Sequence, residues 1–276
     1  MEKITKLNGR LAFVGGGNMA EAIIKGILAA GLIAPGKISV GGHRGDRCAY
    51  LHKTYGINAT VNNNEAVKDA SMIVLAIKPQ KVAEALDETL VATMPNKATV
   101  VSIMGSVDLK KLWEIFPVNP LVRAMPNTPL AVGAGMTALA PDNKVSEAML
   151  AEVKAMFGSC GEVEVVSESA MEAITAVSGC GPGYAFVLID ALADAGVNAG
   201  LPRKLAIKLA AQTFAGSGKM VIETGKHPAE LRDMVTSPGG TTIAALHALE
   251  SKGVRGAMYD AVAAVLARSE ALKGKK

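Results

Sequence analysis

The feature that most constrains this chain is a glycine turn near the N-terminus, set between an apolar run and a helical pattern. Leu11-Ala12-Phe13-Val14 leads into Gly15-Gly16-Gly17-Asn18-Met19-Ala20, and Glu21-Ala22-Ile23-Ile24-Lys25-Gly26-Ile27-Leu28 leads out. Strand, glycine turn and helix in that order is the context of a G-x-G-x-x-A dinucleotide fingerprint. Gly15 permits a sharp turn, Gly17 lets backbone N–H groups approach a pyrophosphate, and Ala20 lets helix and strand pack closely. The helix N-terminus adds partial positive charge facing the phosphates. A merely structural turn uses the same residues, so the rest of the chain decides.

With 276 residues the chain can form one large or two modest domains. Half of it is apolar and a fifth charged, the composition of a soluble protein. The net charge of +4 comes from scattered Lys and Arg, and the one basic cluster, Lys273-Gly274-Lys275-Lys276, reads as a solvated tail. Four Tyr, five Phe and one Trp leave little for base stacking, which argues against nucleic-acid binding. Cys48, Cys160 and Cys180 are far apart, and His43, His52, His227 and His247 make no metal-ligand pattern. The expectation is a reduced, metal-free, cytoplasmic protein. Met1 to Lys6 lacks a signal-peptide apolar segment, and no uninterrupted apolar run approaches the ~20 residues of a membrane helix.

Ile38-Ser39-Val40 reads as the second strand, followed by Gly41-Gly42-His43-Arg44-Gly45-Asp46-Arg47. Enzymes preferring the unphosphorylated cofactor place a carboxylate at this strand end for the ribose 2′-hydroxyl. Asp46 falls too late, whereas Arg44 and Arg47 suit a 2′-phosphate, which favours NADP(H) and leaves NAD(H) possible. Asn62-Asn63-Asn64 is a polar turn able to cap a helix near Glu65. Ser71 to Ile77 is a continuously apolar, buried parallel strand, and Lys78-Pro79-Gln80 opens a helix expected to run from Gln80 to Leu90. Thr99 to Ile103 is a further strand. The rigid Pro126-Asn127-Thr128-Pro129 turn follows another, and strands over Met136–Ala140 and Gly161–Val166 flank a helix at Val145–Phe157. Strands alternating with helices specify a parallel sheet with right-handed crossovers.

From Ser167 the composition shifts to Ala- and Gly-rich helices. They are expected over Ser169–Val177, Tyr184–Asn198 and Pro202–Ile222, then near His227 and Thr242, and over Arg255–Ala271. Gly216 and Gly218, interior to one helix, each cost ~1 kcal/mol relative to Ala, which a close helix contact would offset. Helices so apolar on most faces must be buried, yet this segment is too thin to bury them alone, so a homodimer or larger assembly is expected. Val235-Thr236-Ser237-Pro238-Gly239-Gly240-Thr241-Thr242 opens one of these helices. Proline, glycines and threonines there form a nest of N–H donors with hydroxyls beside them, suited to a carboxylate or phosphate. Two glycine-rich anion cradles in one chain, one for a dinucleotide and one near the other end, suggest a cofactor plus a small acidic substrate.

Four segments, Gly15–Ala20, Ala76-Ile77-Lys78-Pro79-Gln80, Arg123–Pro129 and Arg232–Thr242, together resemble pyrroline-5-carboxylate reductases, a family that makes proline. Ser178-Gly179-Cys180-Gly181-Pro182-Gly183-Tyr184 also stands where that family has Ser-Gly-Ser-Gly-Pro-Ala-Tyr, and the resemblance spans the whole chain. It implies an α/β fold, with an N-terminal Rossmann-like dinucleotide-binding domain (residues 1–166) followed by an all-helical substrate-binding and dimerisation domain (residues 167–276). It implies NADP(H) contacts from Val14, Gly15, Gly16, Gly17, Asn18 and Met19, from Asn63, and from Ala76, Ile77, Lys78 and Pro79. Ser237, Gly239, Gly240, Thr241 and Thr242 would receive the pyrroline carboxylate. The Thr242 hydroxyl would bond the ring nitrogen as the catalytic group, and Glu168 would lie close by. The active site would sit at a subunit interface.

Gly42 departs from the family's frequent hydroxyl residue, which leaves a 2′-phosphate to His43 or Arg44, and Met104-Gly105-Ser106 replaces Ala-Ala-Gly beside the nicotinamide. Two rivals are weaker. A β-hydroxyacid dehydrogenase needs a catalytic lysine, and no Lys-x-x-Asn follows a glycine motif here. A non-catalytic NADPH sensor has no use for Ser237 to Thr242.

Overall fold

The computed structural model describes residues 6–78, 81–105 and 107–273. The cofactor contact expected at Pro79, the helix start at Gln80, and the readings of Ser106, of Met1 to Thr5 and of residues 274–276 lie outside the described residues.

Among the described residues, eight strands form one sheet in the order β3-β2-β1-β4-β5-β6-β7-β8. They are β1 (Leu11–Val14), β2 (Ile38–Gly41), β3 (Asn58–Thr60), β4 (Met72–Leu75), β5 (Thr99–Ser102), β6 (Leu121–Met125), β7 (Gly135–Pro141) and β8 (Gly161–Val165). The first six are parallel and in doubly wound order, with the switch point between β1 and β4. β7 runs antiparallel to β6. The link between them, the 126–134 segment with its 3-10 turn Thr128–Val132, is too short for a crossover. β8 then pairs parallel with β7 and extends the sheet as expected.

Both faces of the sheet's centre are covered, which is why β1 and β4 are apolar throughout, whereas the outer strand β8 alternates and is partly exposed. On one face Leu11 and Phe13 pack with Ile23, Ile24 and Ile27 of α1 (Asn18–Ala29), Leu51 of α2 (Gly45–Tyr55) and Phe157 of α7 (Glu147–Gly158). On the other, Ala12 and Val14 meet Val67 of α3 (Asn63–Val67), Leu90 of α5 (Glu88–Thr93) and Leu112 of α6 (Leu109–Ile115). Each fully buried isoleucine contributes roughly 1.5–3 kcal/mol.

Three local expectations are corrected. The helix expected to Leu90 is two, α4 (Val82–Ala85) and α5, because Asp87 turns to cap the second, accepting the Leu90 N–H at 2.7 Å. Helix α6 has no counterpart in the sequence reading, since seven residues show too little periodicity; Asp108 caps it by accepting the Lys111 N–H at 2.8 Å. The helix expected over Ser169–Val177 is a 3-10 turn (Glu168–Ala170), α8 (Met171–Ile174) and a π-helical turn (Thr175–Gly179).

There follow α9 (Gly181–Asn198), α10 (Arg203–Thr224), α11 (Pro228–Met234), α12 (Thr241–Ser251) and α13 (Val254–Lys273). The chain divides into two compact units, one running to Gly179 and including residues from Ser269 onward, the other Cys180–Arg268. In the second unit α9 packs along α10 through the buried alanines Ala193, Ala206 and Ala210. Its larger apolar side chains are outside: Phe186 is 63 % exposed and Ile222 75 %. Among the described residues the close contact expected at Gly216 and Gly218 is not made, since nothing beyond their own helix backbone lies within 4 Å of either Cβ position; Gly196 makes one instead, its Cβ position 3.2 Å from the Ala206 Cβ. By length and composition the helical stretch Glu168–Asn198 is apolar enough to cross a membrane. It carries Glu168, Glu172, Asp190 and Asp194.

Candidate active site

The loops at the carboxyl ends of β1, β2 and β4 are laced together by backbone hydrogen bonds. Gly15 donates to the Gly41 carbonyl at 2.8 Å, and Ala76 donates to the Val14 carbonyl at 2.8 Å. Gly15 has φ +103°, and a Cβ there would collide with the Ala76 carbonyl oxygen, so the turn requires glycine. Gly17 is the N-cap of α1 and brings no side-chain cap, while a Cβ on it would meet nothing within 4 Å. The N-cap therefore supplies no side-chain acceptor to the first N–H groups of α1, at Asn18 and Met19. Val14, Gly15, Gly16, Gly17, Asn18 and Met19 thus share one edge with Ala76, Ile77 and Lys78.

Asn63 joins this edge. Its Cα lies 2.9 Å from where a Gly41 Cβ would stand, and its Oδ1 is buried with no hydrogen-bond partner. A buried acceptor left unpaired in a folded chain calls for a donor from outside it. Asn62, as the polar turn suggested, caps α3 by accepting the Asn64 N–H at 3.0 Å.

His43 and Arg44 are exposed between β2 and α2, with Arg44 paired to Asp46. Arg47, read from the sequence as a phosphate partner, is committed elsewhere. It donates to the Gly16 carbonyl at 2.7 Å, pairs with Glu21 and lies 5.1 Å over the Tyr50 ring. Tyr55 and Tyr50 also donate to Glu21, at 2.8 and 3.0 Å. Burial works against ionisation of Glu21, but the bonds from Arg47, Tyr55 and Tyr50 outweigh it and hold the carboxyl below the usual range. Burial and the bond to Glu21 push the Tyr55 phenol up to about 12.

In the second unit, Ser237-Pro238-Gly239-Gly240 forms a tight turn closed by the Gly240 N–H on the Ser237 carbonyl at 3.0 Å. Proline followed by glycine at φ +68° is the type II pattern. Gly240 is the N-cap of α12 and has no side-chain cap bond, so the first N–H groups of α12 also lack a side-chain acceptor. Thr242 is half-buried beside them, and Ser237 and Thr241 are exposed. A shallow pocket of about 710 Å³ adjoins the turn; of the expected residues, Gly239 and Gly240 line it. His227 caps α11, accepting the Ala229 N–H at 3.2 Å.

Glu168 stands in the first unit. One of its oxygens, Oε1, accepts from Arg123 at 2.7 Å and from the Leu109 N–H at 3.2 Å. Arg123, on β6, is 2 % exposed. Sequence reasoning passed over it as an ion-pair anchor, although a charged residue inside the apolar run Leu121-Val122-Arg123-Ala124-Met125 was a readable signal. Asn127 is drawn into the fold, donating to the Ser178 carbonyl at 3.2 Å and accepting the Met136 N–H at 2.9 Å.

A doubly wound sheet with an uncapped glycine turn at its switch point, in a chain that also carries a second uncapped helix start among hydroxyls, defines a dinucleotide-dependent oxidoreductase. Residues 10–106 match a family model described as NADP oxidoreductase, coenzyme F420-dependent, and residues 168–272 match one described as pyrroline-5-carboxylate reductase dimerisation. The chain belongs to the pyrroline-5-carboxylate reductase family. It is 46 % identical to the Synechocystis pyrroline-5-carboxylate reductase, covering 97 % of this chain and 99 % of that one. To the Escherichia coli enzyme it is 42 % identical, covering 95 % and 98 %. The pyrroline-5-carboxylate reductase structure from Coxiella burnetii superposes with a TM-score of 0.89 at 33 % identity, over 96 % of this chain and 99 % of that one. A Plasmodium falciparum pyrroline carboxylate reductase with NADP bound gives 0.85 at 32 % identity, covering 96 % and 98 %.

Proposed function

We propose that this chain reduces 1-pyrroline-5-carboxylate to L-proline, with NADP(H) as the preferred cofactor and NAD(H) as an alternative. The observation that carries this reading is the Gly240-capped start of α12, an anion cradle with the hydroxyls of Ser237, Thr241 and Thr242 beside it, in a member of this family. Hydrogen bonds to a charged group contribute roughly 1.5–3 kcal/mol each, so two or three N–H donors hold a carboxylate without an arginine.

Val14 to Met19 and Ala76 to Lys78, continuing to Pro79, hold the dinucleotide, and the orphaned Oδ1 of Asn63 accepts one of its donors. His43 and Arg44 serve a 2′-phosphate. When bound, the nicotinamide supplies a hydride to the imine carbon. The chain's own groups orient the substrate: Gly239, Gly240 and Thr241 with Ser237 receive its carboxylate, and Thr242 hydrogen-bonds the ring nitrogen. A protonated imine is already electrophilic, so hydroxyl and N–H groups suffice where a carbonyl would need a stronger acid. Glu168 adds negative charge near that cationic ring. In this reading residues 1–166 bind the cofactor, and residues 167–276 bind substrate and pair with a second copy, the active site lying at the subunit interface. The reaction is cytoplasmic, which suits three free thiols, and no nucleic acid or membrane takes part.

The test follows NADPH absorbance with 1-pyrroline-5-carboxylate and, separately, with β-hydroxyacids and NADP. Turnover of the imine supports the reading. Turnover of a hydroxyacid alone points to a β-hydroxyacid dehydrogenase, and NADPH binding without any turnover points to a sensor.

A further inference from the structure

Arg123 ties two separate segments, the Gly105 loop and the Glu168–Glu172 stretch, to β6 with one guanidinium. It donates through one terminal nitrogen to Glu168 Oε1 at 2.7 Å, and through the other to the Gly105 carbonyl at 2.9 Å and Glu172 Oε1 at 3.2 Å. Gly105 lies in the loop that follows β5, the strand beyond β4 from the switch point. Ile103 of that loop donates to the Leu75 carbonyl at 3.2 Å, just before Ala76, so the loop borders the cofactor edge. Glu168 Oε1 also accepts the Leu109 N–H at the start of α6, which leaves its Oε2 buried and without a partner. A carboxylate anchored twice through one oxygen has its orientation set.

We propose that Arg123 is a positioning residue for the reaction, holding the Glu168 carboxylate and the Gly105 loop in register with each other; this rests on the pyrroline reductase reading above. A planar guanidinium with several donors in a fixed fork can hold a carboxylate and a carbonyl together, and a lysine ammonium at the same place cannot reproduce that geometry. The residue does not contact the glycine turn, so its loss acts on turnover far more than on cofactor affinity. Misplacement of an orienting group by about 1 Å costs on the order of a hundredfold in rate.

The experiment measures kcat, KM for 1-pyrroline-5-carboxylate and Kd for NADPH in Arg123→Lys, Glu168→Gln and the double variant, with thermal melts of each. Expected are cooperative melts, an NADPH Kd within about threefold of the parent, a kcat lower by about tenfold or more in each single variant, and a double variant no slower than the slower single. A kcat within about twofold of the parent in Arg123→Lys, or a double loss equal to the product of the single losses, overturns the proposal. Should Arg123→Lys fail to melt cooperatively, Glu168→Gln decides alone: a lowered kcat with the parent's melt supports the proposal, and an unchanged kcat overturns it. A parent protein that binds NADPH but leaves the imine unreduced counts against the functional reading itself, whereas a parent that turns over with indifferent variants counts against Arg123 only.

Discussion

Arg47 Nε donates to the Gly16 carbonyl oxygen at 2.7 Å, so a side chain of α2 holds the middle of the glycine turn. Its guanidinium also pairs with Glu21 in the first turn of α1, which fixes the turn against both helices that flank it. Arg44, 62 % exposed, pairs with Asp46 just beyond the end of β2, and in the proposed function it serves the 2′-phosphate. The two residues therefore separate in function. Arg47→Met is expected to weaken NADPH and NADH alike, by about tenfold, because it loosens the turn both use. Arg44→Met is expected to weaken NADPH alone. Fluorescence titration with both nucleotides checks this, and equal losses on Arg44→Met would remove its assigned role.

Asn63 offers a case where stability and binding move in opposite directions. Its Oδ1 is buried and unpaired, which costs the free protein roughly 1–3 kcal/mol of desolvation. Asn63→Ala is expected to leave the melting temperature without nucleotide unchanged or raised, while the increase produced by saturating NADPH shrinks. Differential scanning fluorimetry with and without NADPH reads both. An undiminished NADPH shift refutes the assignment of Asn63 to the cofactor.

Thr242 is half-buried at an uncapped helix start. Thr242→Ala is expected to lower kcat/KM for 1-pyrroline-5-carboxylate by about tenfold or more with NADPH affinity retained, since one hydroxyl hydrogen bond to a charged ring contributes about 1.5–3 kcal/mol. Thr242→Ser keeps the hydroxyl and should restore most of the rate. Steady-state kinetics on the pair decides, and an unaltered kcat/KM in the alanine variant sinks the role.

Tyr55 predicts an alkaline limit. Its phenol is pushed from 10.0 to about 12 by burial and by its bond to Glu21. The folded state keeps this proton where the unfolded chain has lost it, so the stabilisation is complete below pH ~10 and is lost as pH rises through about 12. Melting temperature should fall across that window, and less steeply in Tyr55→Phe. The same steepness in both proteins would show that Tyr55 does not govern the effect.

The helical unit predicts assembly. Its buried apolar cluster is three alanines, while Phe186, Val187, Ile222 and Tyr259 lie in the open. A monomer that exposed such a surface would aggregate, and burying it against a second copy removes the exposure. Light scattering at micromolar concentration should report a dimer or a multiple of one. A monomeric mass contradicts this.

The turns and strands that follow from immediate neighbours were legible in the sequence. Val14 to Ala20, the apolar run ending at Leu75, and Ser237 to Thr242 each announce themselves through local pattern, because a strand buried on both faces must be apolar and a tight turn must use glycine. Residues whose partners lie far along the chain were not. Arg47 and Glu21 are 26 positions apart, and Arg123 and Glu168 are 45 apart. Nothing in the local spacing says which carboxylate a guanidinium will meet.

By itself, then, the sequence determined a glycine-turned doubly wound sheet, a helical remainder and two glycine-led helix starts, all of them consequences of short-range sterics and hydrophobic periodicity. Only the tertiary structure decided that Arg47 is drawn into the glycine turn, what holds Glu168 and that Asn63 keeps a buried, unpaired oxygen. Charge pairing depends on which helices the packed sheet brings side by side, and that is settled by the burial of side chains such as Ile23, Ile24 and Leu51 rather than by the charged residues themselves.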